Sequence, residues 1–330
     1  MKRRDFITLL GGAAAVWPLA ARAQQSERMR RIGVLMNTSA DDPEGQARIA
    51  AFHQGLQEWG WTLGRNARID VRWDAVDADN SRRYAAELVA LTPDVILASA
   101  SAAMGALQQT TRTIPIVFVG IVDPVGAGFV ESLARPGGNV TGFSSVEPEM
   151  GGKWLGLLKE VAPFLARVAV IFNPETGPFS PLFLRAVETA APLFAVKPIA
   201  TPVHNVADIE RAISAFAHDL NGGLLVLPSG FVAVHRQLIF EQAAQHRLPA
   251  VYGFRYFAAD GGLMSYGVDV SDLFRRSAAY VDRILKGTKP GELPVQAPTK
   301  FELVINLKTA KMLRLDVPAH LQQSADELIE

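Results

Sequence analysis

Two hydrophobic rhythms alternate along this chain. Arg31-Ile32-Gly33-Val34-Leu35-Met36-Asn37 is a short apolar run with a basic entry and a polar exit, the pattern of a parallel strand buried on both faces. Ile49, Phe52, Leu56 and Trp59 then recur at three- to four-residue spacing, which predicts an amphipathic helix. Tyr84, Leu88 and Leu91 repeat that stripe, and the runs Asp94–Ser99 and Ile114–Gly120 repeat the strand pattern. The order is then played again. Arg167–Asn173 matches Arg31–Asn37 in residue type at all seven positions, Gly223–Ser229 answers Asp94–Ser99, and Leu248–Gly253 answers Ile114–Gly120. The offsets are 136, about 130 and 134 residues, close enough to a single spacing to indicate a duplicated unit. Helical stripes at Leu182, Ala186 and Leu193 and at Ile209, Ile213 and Phe216 fill the second half. Strands alternating with amphipathic helices predict an α/β fold of two doubly wound parallel-sheet lobes, because right-handed crossovers leave few other arrangements.

The tail breaks the rhythm. Leu273, Phe274, Val281, Ile284 and Leu285 predict a helix, Pro290 and Pro294 a stiff link, Phe301–Asn306 a strand and Thr309–Leu315 a last helix. A chain that has completed two lobes and still carries these pieces returns to each lobe in turn, which makes a three-crossing hinge. The crossings are expected near Gly142–Val146, Phe257–Gly261 and Pro290–Pro298, giving a first lobe of residues 30–143 plus 261–290 and a second of 146–257 plus 298–330.

In open α/β sheets ligands bind beyond the carboxyl ends of the strands. In the first lobe this nominates Asn37, Thr38, Ser99, Ser101, Val122 and Asp123, and in the second Asn173, Ser229, Tyr252 and Phe254. Several of them have a purely structural role open to them. Ser101 and Asp123 also suit helix caps, the latter with Pro124 at the first helical position, and Tyr252 also suits a core aromatic.

Composition narrows the partner. Lys and Arg total 33, as do Asp and Glu, which argues against a nucleic-acid binder that must displace counterions. With no cysteine there are no disulfides, thiolate nucleophiles or cysteine-ligated metals. The first residues, Met1-Lys2-Arg3-Arg4-Asp5-Phe6-Ile7, followed by an apolar stretch and Ala21-Arg22-Ala23, read as a cleavable export signal over residues 1–23, of the twin-arginine type. Its removal would leave 29 basic and 32 acidic groups, a mild net −3, on a product expected in the periplasm. Catalytic patterns are missing: the six histidines have no metal-ligand spacing, and no G-x-S-x-G elbow or G-x-x-x-x-G-K-[ST] loop occurs. No enzyme activity, cofactor or metal is expected.

Five segments carry a family resemblance: Ile114–Phe118, Asp123-Pro124-Val125, Arg135-Pro136-Gly137-Gly138-Asn139-Val140-Thr141-Gly142, Gly261–Gly267 and Pro298–Ala310. Over residues 30–330 the chain resembles the ABC-transporter substrate-binding protein family, and within it the branch of tryptophan- and tyrosine-type binding proteins. The resemblance implies a type I periplasmic-binding fold and a chain that catches a small solute and delivers it to an inner-membrane ABC permease. No lipobox cysteine is present, so the chain departs from lipid-anchored relatives; a monomer is compatible with delivery. For an amino-acid-like solute, Ser99, Ser101 and nearby helix N-termini would take the carboxylate, Asp123 the ammonium, and Tyr252 or Phe254 the side chain. An aromatic acid or a sugar on the same scaffold, and an exported α/β hydrolase, remain as alternatives. A two-lobed repressor is disfavoured because an export signal, not a helix-turn-helix, precedes Arg31.

Overall fold

The computed structural model describes residues 28–145 and 147–330; the export-signal reading of residues 1–23 lies outside them. The first lobe is laid down as β1 (Arg30–Met36), α1 (Pro43–Glu58), β2 (Ala67–Trp73), α2 (Ala78–Ala90), β3 (Val95–Ser99), α3 (Ala100–Thr110), β4 (Ile116–Ile121) and β5 (Val140–Ser144). Its five strands are parallel, in the order β2-β1-β3-β4-β5. The second lobe follows as α4 (Met150–Val161), β6 (Arg167–Phe172), α5 (Ser180–Phe194), β7 (Lys197–Pro202), α6 (Val206–Ala217), β8 (Gly222–Val226), α7 (Gly230–Val234), α8 (Arg236–Gln245), β9 (Ala250–Tyr252), α9 (Arg255–Ala259) and β10 (Met264–Val268). Its order, β7-β6-β8-β9-β10, is that of the first lobe played again. After α10 (Val270–Leu285) the chain adds β11 (Phe301–Asn306), α11 (Leu307–Leu313), α12 (Ala319–Ser324) and β12 (Glu327–Ile329), extending the second sheet to seven strands. β11 runs antiparallel to β10, so this sheet is mixed where the sequence pattern predicts a wholly parallel one.

Several helices start where a polar side chain takes up free N–H groups. Asp42 Oδ1 accepts from the Glu44 and Gly45 amides with Pro43 in the first turn of α1, Asp77 caps α2, Asn205 caps α6 and Asp269 caps α10. The central strands are buried on both faces, as their unbroken apolar runs require, while β2 and β7 lie at sheet edges and are half exposed. In α5 the buried face is Ser180, Phe183, Val187 and Ala191 rather than the Leu182–Ala186–Leu193 stripe, and Leu193 is 84% exposed. Phe183 wins that face because it stacks on Trp154 of α4.

The hinge follows from an exchange of helices. α4 succeeds β5 but packs on α5, β8 and β9 of the second lobe; α10 succeeds β10 but packs on α1, β4 and β5 of the first. The lobe-to-lobe helix α10 comes so close to α1 that a Cβ at Gly55 would lie 2.2 Å from the Arg275 carbonyl oxygen. Beyond α10, Thr141 Oγ1 donates to the Leu293 carbonyl and the Gln296 amide to the Gly142 carbonyl, so the link still runs beside β5 as far as Gln296. The chain therefore passes between sheets after Ser144, after Val268 and after Gln296. The crossing expected at Phe257–Gly261 is corrected by this: residues 264–268 are hydrogen-bonded to both β9 and β11 and stay in the second sheet, and the passage falls at Asp269. There Lys300 Nζ pairs with Asp269 Oδ2 at 2.7 Å and the Lys300 carbonyl accepts from the Asp269 amide, tying two of the crossings together.

Candidate functional site

The carboxyl ends of β1, β3 and β4 gather the first lobe's candidates. Ser99, buried at the end of β3, donates its hydroxyl to Asn37 Oδ1 at 2.7 Å, joining the tips of neighbouring strands. That bond uses the Asn37 amide oxygen and leaves its NH2 group to donate elsewhere. It turns the Ser99 hydroxyl toward the neighbouring strand, and α3 begins without a side-chain cap although Ser99 stands at the capping position. The first α3 residue, Ala100, has φ +66°, a left-handed conformation that costs about 1–2 kcal/mol in a residue with a Cβ. Strain of this kind concentrates where a fold must aim backbone groups; here it turns the start of α3, with Ser101 one residue on. The Thr38 hydroxyl oxygen is buried with no hydrogen-bond partner among the described residues. Val122 and Asp123 follow β4, both half buried. Asp123 Oδ1 accepts from the Gly126 amide at 2.8 Å, the turn cap that its Asp-Pro pair suggests.

The second lobe's tips are differently used. Asn173 is 2% exposed, with its NH2 donating to the Val203 carbonyl and its oxygen accepting from both the amide and the hydroxyl of Thr176. Every polar atom of its side chain is engaged inside the lobe, and Asn173 leaves the candidate list. Tyr252 leaves it too: 1% exposed, its ring stacks on Phe257 and meets Phe240 edge-on, and burial pushes its hydroxyl pKa upward. β9 ends at Tyr252, and its side chain falls on the core face of the sheet. Ser229 caps α7 by accepting from the Val232 amide. Phe254 stays half buried at the start of α9, stacked on Tyr256 at 5.9 Å.

Residues absent from the strand-end list meet where the lobes face each other. Arg48 of α1, only 7% exposed, lies with its guanidinium 5.7 Å from the Tyr256 ring centre, and Arg236 of α8 stands 5.6 Å from the same ring. Arg236 also bonds Asp260 at 2.7 Å and lies 3.6 Å from Asp42 of the first lobe. A signal for Arg48 exists in the sequence, since a charge four residues before Phe52 interrupts the apolar stripe of α1. Among the described residues, no group of three or more His, Cys, Asp or Glu side chains is placed to hold a metal ion, and no helix is long and apolar enough to cross a membrane.

Two lobes of one strand order with three passages between them define a type I periplasmic binding protein. Residues 32–329 match the family described as ABC transporter substrate binding protein, and the chain belongs to that family. It is accordingly the solute-binding component of an ABC transporter. A tyrosine-binding protein of Clostridioides difficile (strain R20291) is 25% identical over 292 residues, 87% of this chain and 82% of that one. Among solved structures, a conserved domain protein from Vibrio cholerae is 28% identical with a TM-score of 0.84, over 91% of this chain and all of the other. An ABC domain from Streptococcus pneumonia in complex with L-Trp is 24% identical with a TM-score of 0.83 over the same shares, a likeness of fold.

Proposed function

We propose that the chain works outside the inner membrane, taking up an α-amino acid with an aromatic side chain between its lobes and presenting it to a membrane permease. One observation carries the reading: the Asn37–Ser99 pair beside an uncapped α3, with the buried Thr38 hydroxyl next to it in sequence. Free N–H groups at a helix start, flanked by donors, suit a carboxylate. Ser101 adds a hydroxyl within the first turn, Val122 an apolar wall, Asp123 an anion for the ammonium, and Phe254 with Ser229 the facing side from the second lobe. The tyrosine-binding relative supports the same solute class. Closure follows because a solute touching both lobes favours the arrangement in which they meet, by its difference in affinity for the two states.

Isothermal titration with L-tyrosine and L-tryptophan tests this. Asp123→Ala is expected to weaken amino-acid binding about ten- to hundred-fold, the range for losing a charged hydrogen bond; unchanged affinity would remove Asp123 from the site. A second reading has its own support. Asp123 is folded onto its own turn, where a Cβ at Gly126 would lie 2.1 Å from Oδ2, and that suits an aromatic acid without an ammonium group. A thermal-shift screen across aromatic acids, amino acids and sugars separates the two, since binding raises apparent stability by mass action.

A further inference from the structure

The seam between the lobes contains a contact that no solute needs to complete. Tyr256 belongs to α9 of the second lobe, yet its ring lies between guanidinium groups from opposite lobes: Arg236 at 5.6 Å from its own side and Arg48 at 5.7 Å from across the seam. Each cation is held in place. Arg48 Nε bonds Glu44 Oε1 at 3.0 Å, while Arg236 bonds Asp260 Oδ2 and the Ala233 carbonyl and reaches toward Asp42 Oδ2. The arrangement is alternately charged and shared between lobes, with Asp42, Glu44 and Arg48 on one side and Arg236, Tyr256 and Asp260 on the other.

Beside this cluster runs a second, apolar contact. Asp74 is fully buried after β2 and accepts from the Val76 amide and the Ser81 hydroxyl, which holds Ala75 and Val76 in left-handed backbone at φ +52° and +63°. A β-branched residue rarely adopts that conformation, and its effect is to press Val76 against the start of α7 in the other lobe. A Cβ at Gly230 would lie 2.3 Å from Val76 Cγ1. Only glycine lets the lobes approach this far.

We propose that Arg48, Tyr256 and Arg236, with Val76 seated on Gly230, form a latch that stabilises the closed arrangement of the lobes whatever solute lies between them. A cation over an aromatic ring at a partly exposed site is worth enough to move a two-state balance several-fold, and no more. That is the right size for such a device: a stronger latch would hold the lobes shut and block entry and release. The latch thus sets how much of a solute's binding energy goes into closure, and it weakens or strengthens capture of every solute alike.

The absence of native cysteine allows a clean test. Gln109→Cys in the first lobe and Gln237→Cys in the second, labelled for single-molecule energy transfer, report the ratio of closed to open molecules without added solute. Arg48→Gln and Tyr256→Leu are each expected to lower that ratio about two- to five-fold, the range for one cation–π contact. Gly230→Ala is expected to lower it further by propping Val76 away. Thermal melting confirms that each variant is folded, and Arg48→Gln, whose amide can still donate to Glu44, keeps the test open if Tyr256→Leu does not fold. Ratios equal to the parent in Arg48→Gln and Gly230→Ala would overturn the latch. The measurement needs no solute, so failure of L-tyrosine to bind would count against the amino-acid reading alone.

Discussion

The equivalent strand tips of the two lobes carry the same residue and use it in opposite ways. Asn37 ends the first strand of one lobe and Asn173 the first strand of the other, 136 residues apart in matching runs. Among the described residues Asn37 meets only the Ser99 hydroxyl with its oxygen, whereas Asn173 is tied to Thr176 and to the Val203 carbonyl. The serines differ likewise: Ser229 caps its helix, Ser99 does not. Thr176 is the cause, since its hydroxyl donates to Asn173 and accepts from the Phe231 amide, knitting two tips of the second lobe to each other. The second half repeats the scaffold of the first, and one loop residue, Thr176, ties up the tip that its counterpart leaves open. On the proposed reading, the first lobe is the one that would hold the solute's polar end.

The largest effect expected from perturbing this comparison lies in the exchanged helices. Trp154 on α4 is 1% exposed, stacks on Phe183 and donates its indole N–H to the Tyr266 carbonyl at 2.6 Å. Trp154→Ala should destabilise by about 3–5 kcal/mol, and native-state hydrogen exchange should quicken first in β8 and β9, although α4 is reached from the first lobe's last strand. Phe274→Ala on α10 should show the reverse, quickening β4 and β5. Loosening of the first sheet by Trp154→Ala would break the account of the exchange.

Next in size is the pair Asn173→Ala and Asn37→Ala. Asn173→Ala strands the buried Val203 carbonyl and the Thr176 amide and should cost about 2–3 kcal/mol, read by urea unfolding, with solute affinity nearly kept. Asn37→Ala should change stability by less than about 1 kcal/mol, the value of one ordinary hydrogen bond, while weakening solute capture roughly ten-fold. The same stability loss in both variants would show that the tips are equivalent after all.

The strands that sequence reveals are those that both faces bury: β1, β3, β4, β6 and β8 read as apolar runs because their central positions are shielded from water. The edges β2 and β7 escape notice for the converse reason, with Ala67–Trp73 alternating Arg and Asp among its apolar residues. β10 is misplaced because Gly261-Gly262 resembles a boundary, whereas it is the turn that feeds a strand back into the same sheet. At the site, strand ends point to Asn37 and Ser99 without any motif. They point equally to Asn173 and Tyr252, which the fold turns inward, since the partner that engages Asn173 is a loop residue and the face on which Tyr252 falls depends on where β9 stops. The seam residues escape because contact between Arg48 and Tyr256 spans two lobes, and sequence spacing carries no record of it.

The smallest expected effect concerns a position where the lobes differ in charge. Asp74 and Val203 are counterparts, each donating its backbone N–H to the last residue of the neighbouring first strand, Met36 and Phe172. Burial raises the Asp74 pKa, the Asp77 charge adds to the rise, and hydrogen bonds from Ser81 and Val76 only partly offset it. A carboxyl whose pKa is higher folded than unfolded retains a proton that the unfolded chain gives up, so stability falls as pH climbs from about 3.9, the ordinary aspartate value, through the folded one, and stays lower beyond. Asn in its place can still accept from the Val76 amide and can donate to the Ser81 hydroxyl, whose own hydrogen then goes to the Asp77 carbonyl at 3.0 Å. Asp74→Asn should therefore gain on the parent in thermal melting between pH 4 and pH 7, and a loss that grows over that interval would mean the buried carboxylate is favoured where it sits.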